Sequence, residues 1–271
     1  MPRQSPKNAT VFLGGGRITG ALIAGLRLAG YARPIVVYDR NAKKLRALKR
    51  DYRIEIARDL ESAISRAEML ILAVRPASVS ELLGEIGHCA RIPAVLAVSL
   101  AAGIPLARLR ARLGSPVRWA RAMPSPVSRI RRGLTAVTFA PGVSEADRRQ
   151  VRSFFEHVGT VLQIHERQFD AFTAIYSSSH GYHALAALAT AAEHAGLDHK
   201  TALVAASHAL ANGILYWRDG RLDLVELLHE AATPGGIAAT TMAAMDKAGY
   251  RKAISRGVLA GIRQAKKNAR R

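Results

Sequence analysis

Val11-Phe12-Leu13-Gly14-Gly15-Gly16-Arg17-Ile18-Thr19-Gly20 decides how this chain is read: a short apolar run breaks into glycines and resumes as a helical pattern through Ala21, Leu22, Gly25 and Leu26. A strand that turns through glycine onto a helix N-terminus makes a phosphate cradle, because bare glycines let the backbone approach an anion at which the first helical N–H groups point. That predicts a dinucleotide cofactor. The spacing Gly14-x-Gly16-x-x-Thr19 departs from the usual fingerprint at its third position, so the flanking sequence has to carry part of the assignment. The next apolar run, Ile35-Val36-Val37-Tyr38, ends in Asp39, at about the 20-residue distance where an acidic side chain meets the adenosine ribose. Gly14, Gly16, Arg17, Ile18 and Asp39 are therefore candidate nucleotide ligands of a Rossmann-type domain.

Asp39 taken alone favours two free ribose hydroxyls and hence NAD(H). Arg40, Lys43 and Lys44 offer cations where a 2′-phosphate would lie, and a guanidinium holds phosphate in a bidentate fork. The same three cations also fit the solvated face of the following helix. Both readings stand on sequence, with a lean to NADP(H) over NAD(H).

At 271 residues and 49% hydrophobic, the chain is long enough for two cores and too apolar to be disordered. No segment reaches the roughly 18 uninterrupted apolar residues of a membrane span, and residues 1–10 are polar and lack an apolar signal core. A soluble, cytoplasmic protein is expected. The single cysteine, Cys89, excludes an internal disulfide and a cysteine-rich metal site, in keeping with a reducing compartment, and no metal is expected. Lys and Arg number 40 against 20 Asp and Glu, a formal charge of +20 that attracts polyanions. The cations are spread along the chain and carry no interleaved aromatics to stack bases, so any nucleic-acid association is expected to be nonspecific.

Apolar β-rich runs at 10–14, 35–38, 69–74, 94–99, 117–120 and 135–139 alternate with helical patterns. Short apolar runs without polar alternation, separated by amphipathic helices, are the pattern of a parallel sheet covered on both faces. A helix near 145–157 and a last strand at 160–164 complete this half. Beyond it β-branched runs vanish and the chain becomes alanine-rich and helical. Leu203, Ala206, Leu210, Ile214 and Trp217 recur at three- and four-residue intervals, as do Ile254, Val258, Leu259 and Ile262, so each helix carries an apolar stripe. The expected fold is an α/β Rossmann-type domain over 1–164 followed by an all-α helical bundle over 165–271. A bundle so rich in alanine buries little core alone, which either dimerisation or a monomeric bundle resting on the first domain would remedy.

Several spaced motifs together resemble the pyrroline-5-carboxylate reductase family, whose members close proline synthesis by reducing a cyclic imine. Phe12-Leu13-Gly14-Gly15-Gly16-Arg17 resembles the family's nucleotide loop, Leu72-Ala73-Val74-Arg75-Pro76 its Ala-Val-Lys-Pro segment, and Ser99-Leu100-Ala101-Ala102-Gly103 its Ser-x-Ala-Ala-Gly turn. Arg121-Ala122-Met123-Pro124-Ser125 is close to Arg-x-Met-Pro-Asn, and Thr233-Pro234-Gly235-Gly236 to Ser-Pro-Gly-Gly. The resemblance implies that Ala73, Val74, Arg75, Pro76, Ala101 and Met123 line the nucleotide site. Residues 73–76 also end a predicted strand, where ligands of open α/β sheets sit, and the small residues of 99–103 leave room for a nicotinamide ring. Arg121 could face cofactor or substrate carboxylate, although an arginine in so cationic a chain reads more simply as surface.

Thr233-Pro234-Gly235-Gly236 ahead of an apolar helical run reads as an N-cap threonine, a proline at the first helical position and two glycines with bare N–H groups. The resemblance implies that Thr233, Gly235 and Gly236 seat the imine's carboxylate. The family's substrate strip, Ser-Gly-Ser-Gly-Pro-Ala-Tyr, is here Tyr176-Ser177-Ser178-Ser179-His180-Gly181-Tyr182, in which Ser178 and Tyr182 survive. After Gly236 the family's paired threonines are Ile237-Ala238, with Thr240 and Thr241 the nearest hydroxyls, and Ser125 stands where the motif has asparagine. Ser178 and Tyr182 are candidate substrate contacts, and Ser178 and His180 candidate catalytic residues. An imine that binds already protonated accepts hydride without a general acid, and His180, with an unperturbed pKa of about 6.5, could also donate. The expectation is NAD(P)H-dependent reduction of a small cyclic imine carboxylate by a homo-oligomer.

Overall fold

A computed structural model describes residues 8–89, 92, 94–220 and 222–270. The apolar runs without alternation become strands buried along their length. β1 (Ala9–Leu13) and β2 (Ile35–Tyr38) flank α1 (Arg17–Leu28), and α2 (Ala42–Tyr52) leads to the two-residue β3 (Glu55–Ile56). Asn41 caps α2, accepting the amides of Lys43 and Lys44 at 3.0 and 3.2 Å. α3 (Leu60–Ser65), β4 (Ala67–Leu72), α4 (Val79–Gly87), β5 (Leu96–Ser99), α5 (Leu106–Arg112) and β6 (Arg118–Met123) follow, then β7 (Gly133–Phe139), α6 (Glu145–Glu156), β8 (Gly159–Gln163) and α7 (Phe169–Ile175). The sheet order is β3-β2-β1-β4-β5-β6-β7-β8.

Strands β1 to β6 run parallel, as the sequence predicts, but β7 pairs antiparallel with β6 and β8 parallel with β7, so the expected all-parallel sheet reverses over its last two strands. The reason lies in the connection. β6 runs on to Met123 rather than ending at Ala120, and residues 124–132 are too few for a parallel crossover, which takes about a dozen or more.

The chain divides into two compact units, 1–176 with 261–271 and 177–260, whereas the sequence reading puts its boundary at 164/165. Residues 166–176 stay with the sheet because their side chains are built into it. Phe169 is fully buried, Glu166 accepts the Leu106 amide at the start of α5 at 2.6 Å, and the Tyr176 phenol accepts the Leu134 amide of β7.

The second unit holds α8 (Ser179–His194), α9 (His199–Asp219), α10 (Leu224–Ala231), α11 (Ile237–Lys247) and most of α12 (Tyr250–Arg270). Asp198 and Asp223 cap α9 and α10, each accepting two backbone amides. α8 and α9 pack together as a hairpin, and among the described residues no other helix pair of this unit packs extensively. Among the described residues its buried apolar side chains are only Ala189, Ala202 and Ala206, while Ile214, Trp217, Val225 and Ile237 lie exposed. The stripes read from sequence are covered only in part within one chain: Ala206 is buried, but Ile214, Trp217, Ile254 and Leu259 are exposed. Among the described residues no helix is long and apolar enough to cross a membrane.

The last turns of α12 belong to the sheet unit and press on the 99–103 turn. Gly103 has φ 78°, and a Cβ there would stand 2.2 Å from the Ala265 carbonyl oxygen, while Asn268 Nδ2 donates to the Ala102 carbonyl at 3.4 Å. Gly103→Ala therefore combines a left-handed backbone with a backbone clash and is expected to cost at least about 2 kcal/mol. Gly84→Ala, inside α4 with nothing within 4 Å of the added methyl, is expected to be neutral or stabilising. Thermal and urea unfolding of the two variants checks both signs.

Candidate active site

The glycine turn after β1 is held by backbone geometry that few residues could adopt. Gly14 has φ 109°, and a Cβ on it would lie 2.7 Å from the Ala73 carbonyl oxygen at the end of β4. Its amide donates to the Tyr38 carbonyl at 2.8 Å, and the Ala73 amide donates to the Leu13 carbonyl at 2.8 Å, so the ends of β1, β2 and β4 meet here. Thr19, the departure from the fingerprint, is fully buried and donates its hydroxyl to the Gly14 carbonyl at 2.6 Å. The turn is tied to the helix it feeds by a side chain instead of by a third glycine.

Gly16 is the N-cap of α1 and has open space where a Cβ would stand. No side chain caps this helix and its first turn carries no acidic residue, so its N-terminal N–H groups and partial positive charge face outward beside the exposed Arg17 and half-buried Ile18. The donor set and the bare glycine suit a pyrophosphate.

Asp39 is placed at the end of β2 as the sequence predicts, but its carboxylate also braces the turn. Oδ2 accepts the Gly15 amide and Oδ1 the Asn41 amide, both at 2.7 Å, with Lys44 Nζ 3.5 Å from Oδ2. Arg40 turns to α4, donating to Glu81 at 2.9 Å and to Glu85. Its bond to Glu81 foremost, then the charges of Glu81 and Glu85, raise its pKa. Of the three cations considered for a 2′-phosphate, Arg40 is thus engaged elsewhere, whereas Lys43 and Lys44 lie on the solvated face of α2.

Ala73, Val74, Arg75 and Pro76 follow β4 at the carboxyl edge of the parallel strands, with Arg75 exposed as the N-cap of a 3-10 turn at Pro76–Ser78. Ala101 is buried beyond β5, its amide 3.3 Å from the Ser99 hydroxyl, and Met123 ends β6. Along the same edge lies a residue misjudged from sequence. Arg121 is not on the surface but 2% exposed. It bonds Glu166 at 3.0 Å, lies 3.7 Å from Asp170 and places its guanidinium 4.3 Å over the Phe169 ring. Glu166 Oε1 also takes the Leu106 amide, so one carboxylate joins β6, α5 and the 3-10 turn at Glu166–Gln168.

In the helical unit Ser178 is the N-cap of α8 and half-buried, while His180 and Tyr182 stand exposed in its first turn. The 233–236 segment differs from the sequence reading. Thr233 is not an N-cap and Pro234 not helical: Gly235 has φ 75°, the Gly236 amide donates back to the Thr233 carbonyl at 2.9 Å, and Gly236 is the N-cap of α11. Proline at the second position and left-handed glycine at the third make a β-turn where a helix start was expected. The hydroxyls of Thr240 and Thr241 donate to the Gly236 and Ile237 carbonyls at 3.1 and 2.9 Å. They are thus committed to the helix backbone.

Two family models match the chain: NADP oxidoreductase coenzyme F420-dependent over residues 10–103, and pyrroline-5-carboxylate reductase dimerisation over 166–268. A pyrroline-5-carboxylate reductase of Pseudomonas aeruginosa is 26% identical over 258 residues, covering 94% of each chain, and one of Mycobacterium tuberculosis is 28% identical, covering 92% of each. The solved pyrroline carboxylate reductase of Plasmodium falciparum with NADP bound superposes with a TM-score of 0.87 at 18% identity, over 98% of this chain and all of that one. The chain belongs to the pyrroline-5-carboxylate reductase family. It is a divergent member: the family's motifs lie in order along the carboxyl edge and at the starts of α8 and α11, but the substrate strip and the residues after Gly236 carry other side chains.

Against the motifs of the pyrroline-5-carboxylate reductase family, the sequence reading missed the roles of Thr19 and Arg121 for different reasons. A buried threonine bonding backwards has no periodic signal. An arginine in the middle of an apolar strand, between Ala120 and Ala122, is a signal, and it was outweighed by the cationic composition. Arg121→Met leaves Glu166 and Asp170 without their counter-ion and is expected to cost about 2–4 kcal/mol. Denaturant unfolding measures that loss, and an unchanged midpoint would contradict the bridging geometry.

Proposed function

We propose that this chain is an NAD(P)H-dependent reductase of a small cyclic imine carboxylate, by default pyrroline-5-carboxylate, which it converts to proline. The observation that carries the reading is the alignment along nearly its whole length with relatives so named, joined to an uncapped α1 N-terminus beneath a glycine turn. When bound, the nucleotide supplies a hydride to the carbon of the protonated imine, giving NAD(P)+ and the secondary amine.

In this reading the amides of Gly14, Gly16, Arg17 and Ile18 hold the pyrophosphate and Asp39 the adenosine ribose. Residues 73–76, Ala101 and Met123 line the remainder of the nucleotide. NADP(H) is favoured over NAD(H), with Lys43 and Lys44 as the cations for a 2′-phosphate, since Arg40 is held by Glu81 and Glu85. Thr233 and Gly235 bind the carboxylate, while Gly236 closes the seat by donating its amide back to the Thr233 carbonyl, and Ser178 and Tyr182 orient the ring. An iminium needs alignment and charge complementarity more than an acid, which fits hydroxyls at 240 and 241 already donated elsewhere. Ser178, with His180 as the titratable group beside it, is assigned the reacting nitrogen.

The helical unit is read as a homodimerisation surface, because its large apolar side chains are uncovered in one chain. The enzyme is placed in the cytoplasm, where its single thiol stays reduced. The +20 charge gives salt-sensitive, nonspecific association with polyanions. The rebuilt strip from Tyr176 to His183 favours a six-membered or substituted imine as the second reading of the substrate.

Purified protein is expected to oxidise NADPH with pyrroline-5-carboxylate or a related imine. Absence of NADPH and NADH oxidation with every five- and six-membered imine carboxylate tried, with nucleotide still bound, would leave a non-catalytic homologue. Lys43→Glu with Lys44→Glu is expected to weaken NADPH binding by about tenfold or more, through lost attraction and new repulsion, while NADH binding changes little. Calorimetric titration of both nucleotides decides. The chain is expected to elute as a dimer in light-scattering chromatography, and Ile214→Asp with Val225→Asp to shift it toward monomer or aggregate; a wild-type monomer would remove the dimer reading.

A further inference from the structure

Tyr176 closes α7, and its phenol joins two separate parts of the sheet unit. The oxygen accepts the Leu134 amide of β7 and lies 3.2 Å from the hydroxyl of Ser125. Ser125 is 4% exposed and follows Met123-Pro124 past the carboxyl end of β6. A backbone N–H can only donate, so the Leu134 contact uses a lone pair of the phenol oxygen and leaves its proton to be placed. Either hydroxyl can donate across the Tyr176–Ser125 contact. When the phenol, the more acidic of the two, is the donor, the bonds run from Leu134 N–H to Tyr176 and from Tyr176 O–H to Ser125, and the Ser125 proton is left for a partner outside the pair.

In an open doubly wound sheet, ligands lie outside the carboxyl ends of the strands, and the two halves of a dinucleotide straddle the point where strand order reverses, here between β1 and β4. Glycine turn and Asp39 stand on the adenosine side of that point. β4, β5 and β6 make the other side, and Ser125 lies beyond β6. We propose that Tyr176 is a positioning residue for the reaction: acting through Ser125, it holds a hydroxyl donor for the amide carbonyl of the nicotinamide ring. The inference rests on the reading that this chain binds a pyridine nucleotide.

A second observation agrees. Relative to the family motifs the sizes of the two residues are exchanged: serine stands after Met-Pro in place of asparagine, and tyrosine opens the strip in place of serine. The two touch. A polar group that asparagine would bring from β6 is brought here from α7.

The test uses the full chain and two ligands that differ only in the ring, NADPH and 2′-phospho-ADP-ribose, titrated calorimetrically. Tyr176→Phe is expected to weaken NADPH by about tenfold, the scale of one lost buried hydrogen bond, and to leave 2′-phospho-ADP-ribose unchanged. Ser125→Ala is expected to do the same, and the double variant to lose no more than either single one. Ser125→Asn with Tyr176→Ser, which restores the exchanged sizes and keeps a route to a folded protein should the single variants be unstable, is expected to regain NADPH affinity. Equal weakening of both ligands would show a merely structural tyrosine and overturn the proposal, as would an unchanged NADPH affinity in Tyr176→Phe. Wild-type protein that binds neither ligand would overturn the nucleotide reading itself, and the proposal with it.

Discussion

The Gly14 backbone approaches the end of β4 so closely that no side chain fits, and the rest of the site depends on that approach. A Cβ at 14 would stand inside contact distance of the Ala73 carbonyl, and φ 109° is open to glycine and strained for nearly everything else. Because the chain can pass there, β1 turns beside the end of β4 and runs directly into α1, whose first turn carries no side-chain cap. The start of α1 is left without a side-chain cap, with Thr19 and Asp39 spending polar atoms on the turn itself.

The other loops of that edge are set from a distance. Arg121, buried in β6, bonds the carboxylate that holds the first amide of α5, so the 99–105 segment is tethered at both ends: Ser99 pairs with Arg121 across the sheet, and Leu106 reaches Glu166. Its middle is pressed by the final turns of α12, which return from the helical unit to the sheet. A buried arginine is costly to desolvate and is tolerated only where carboxylates and an aromatic face meet it. Its partners come from a stretch that sequence reading assigns to the other domain, which is why the units divide after Tyr176 and not at the end of the last strand.

The charge surplus also acquires a structural use. Arg27 donates to the Tyr52 carbonyl at 3.0 Å, Arg129 to the Tyr52 hydroxyl at 2.7 Å, Arg131 to the His157 carbonyl at 3.2 Å and Arg148 to the Val143 carbonyl at 3.2 Å. Guanidinium groups thus tie loops and helix ends to neighbouring elements. Ion pairs cannot do this throughout, because acidic residues are half as many. The helical unit shows the reverse economy: few large side chains are covered, and alanines at 189, 202 and 206 make its interior. Small residues let α8 and α9 approach closely but bury little area, so the unit gains little from its own packing.

By itself the sequence determined the α/β order, the glycine turn onto α1, Asp39 at the end of β2, the change to helices and the family, since each rests on local periodicity or on a motif read within a few residues. The tertiary structure alone decided that β7 and β8 reverse, that Arg121 is buried, that Arg40 turns to α4, and that 233–236 is a β-turn ahead of the helix. Those outcomes turn on where a strand ends and which distant carboxylate or carbonyl is in reach. They are long-range facts, and a pattern of neighbours along the chain carries no record of them until the sheet has brought the partners together.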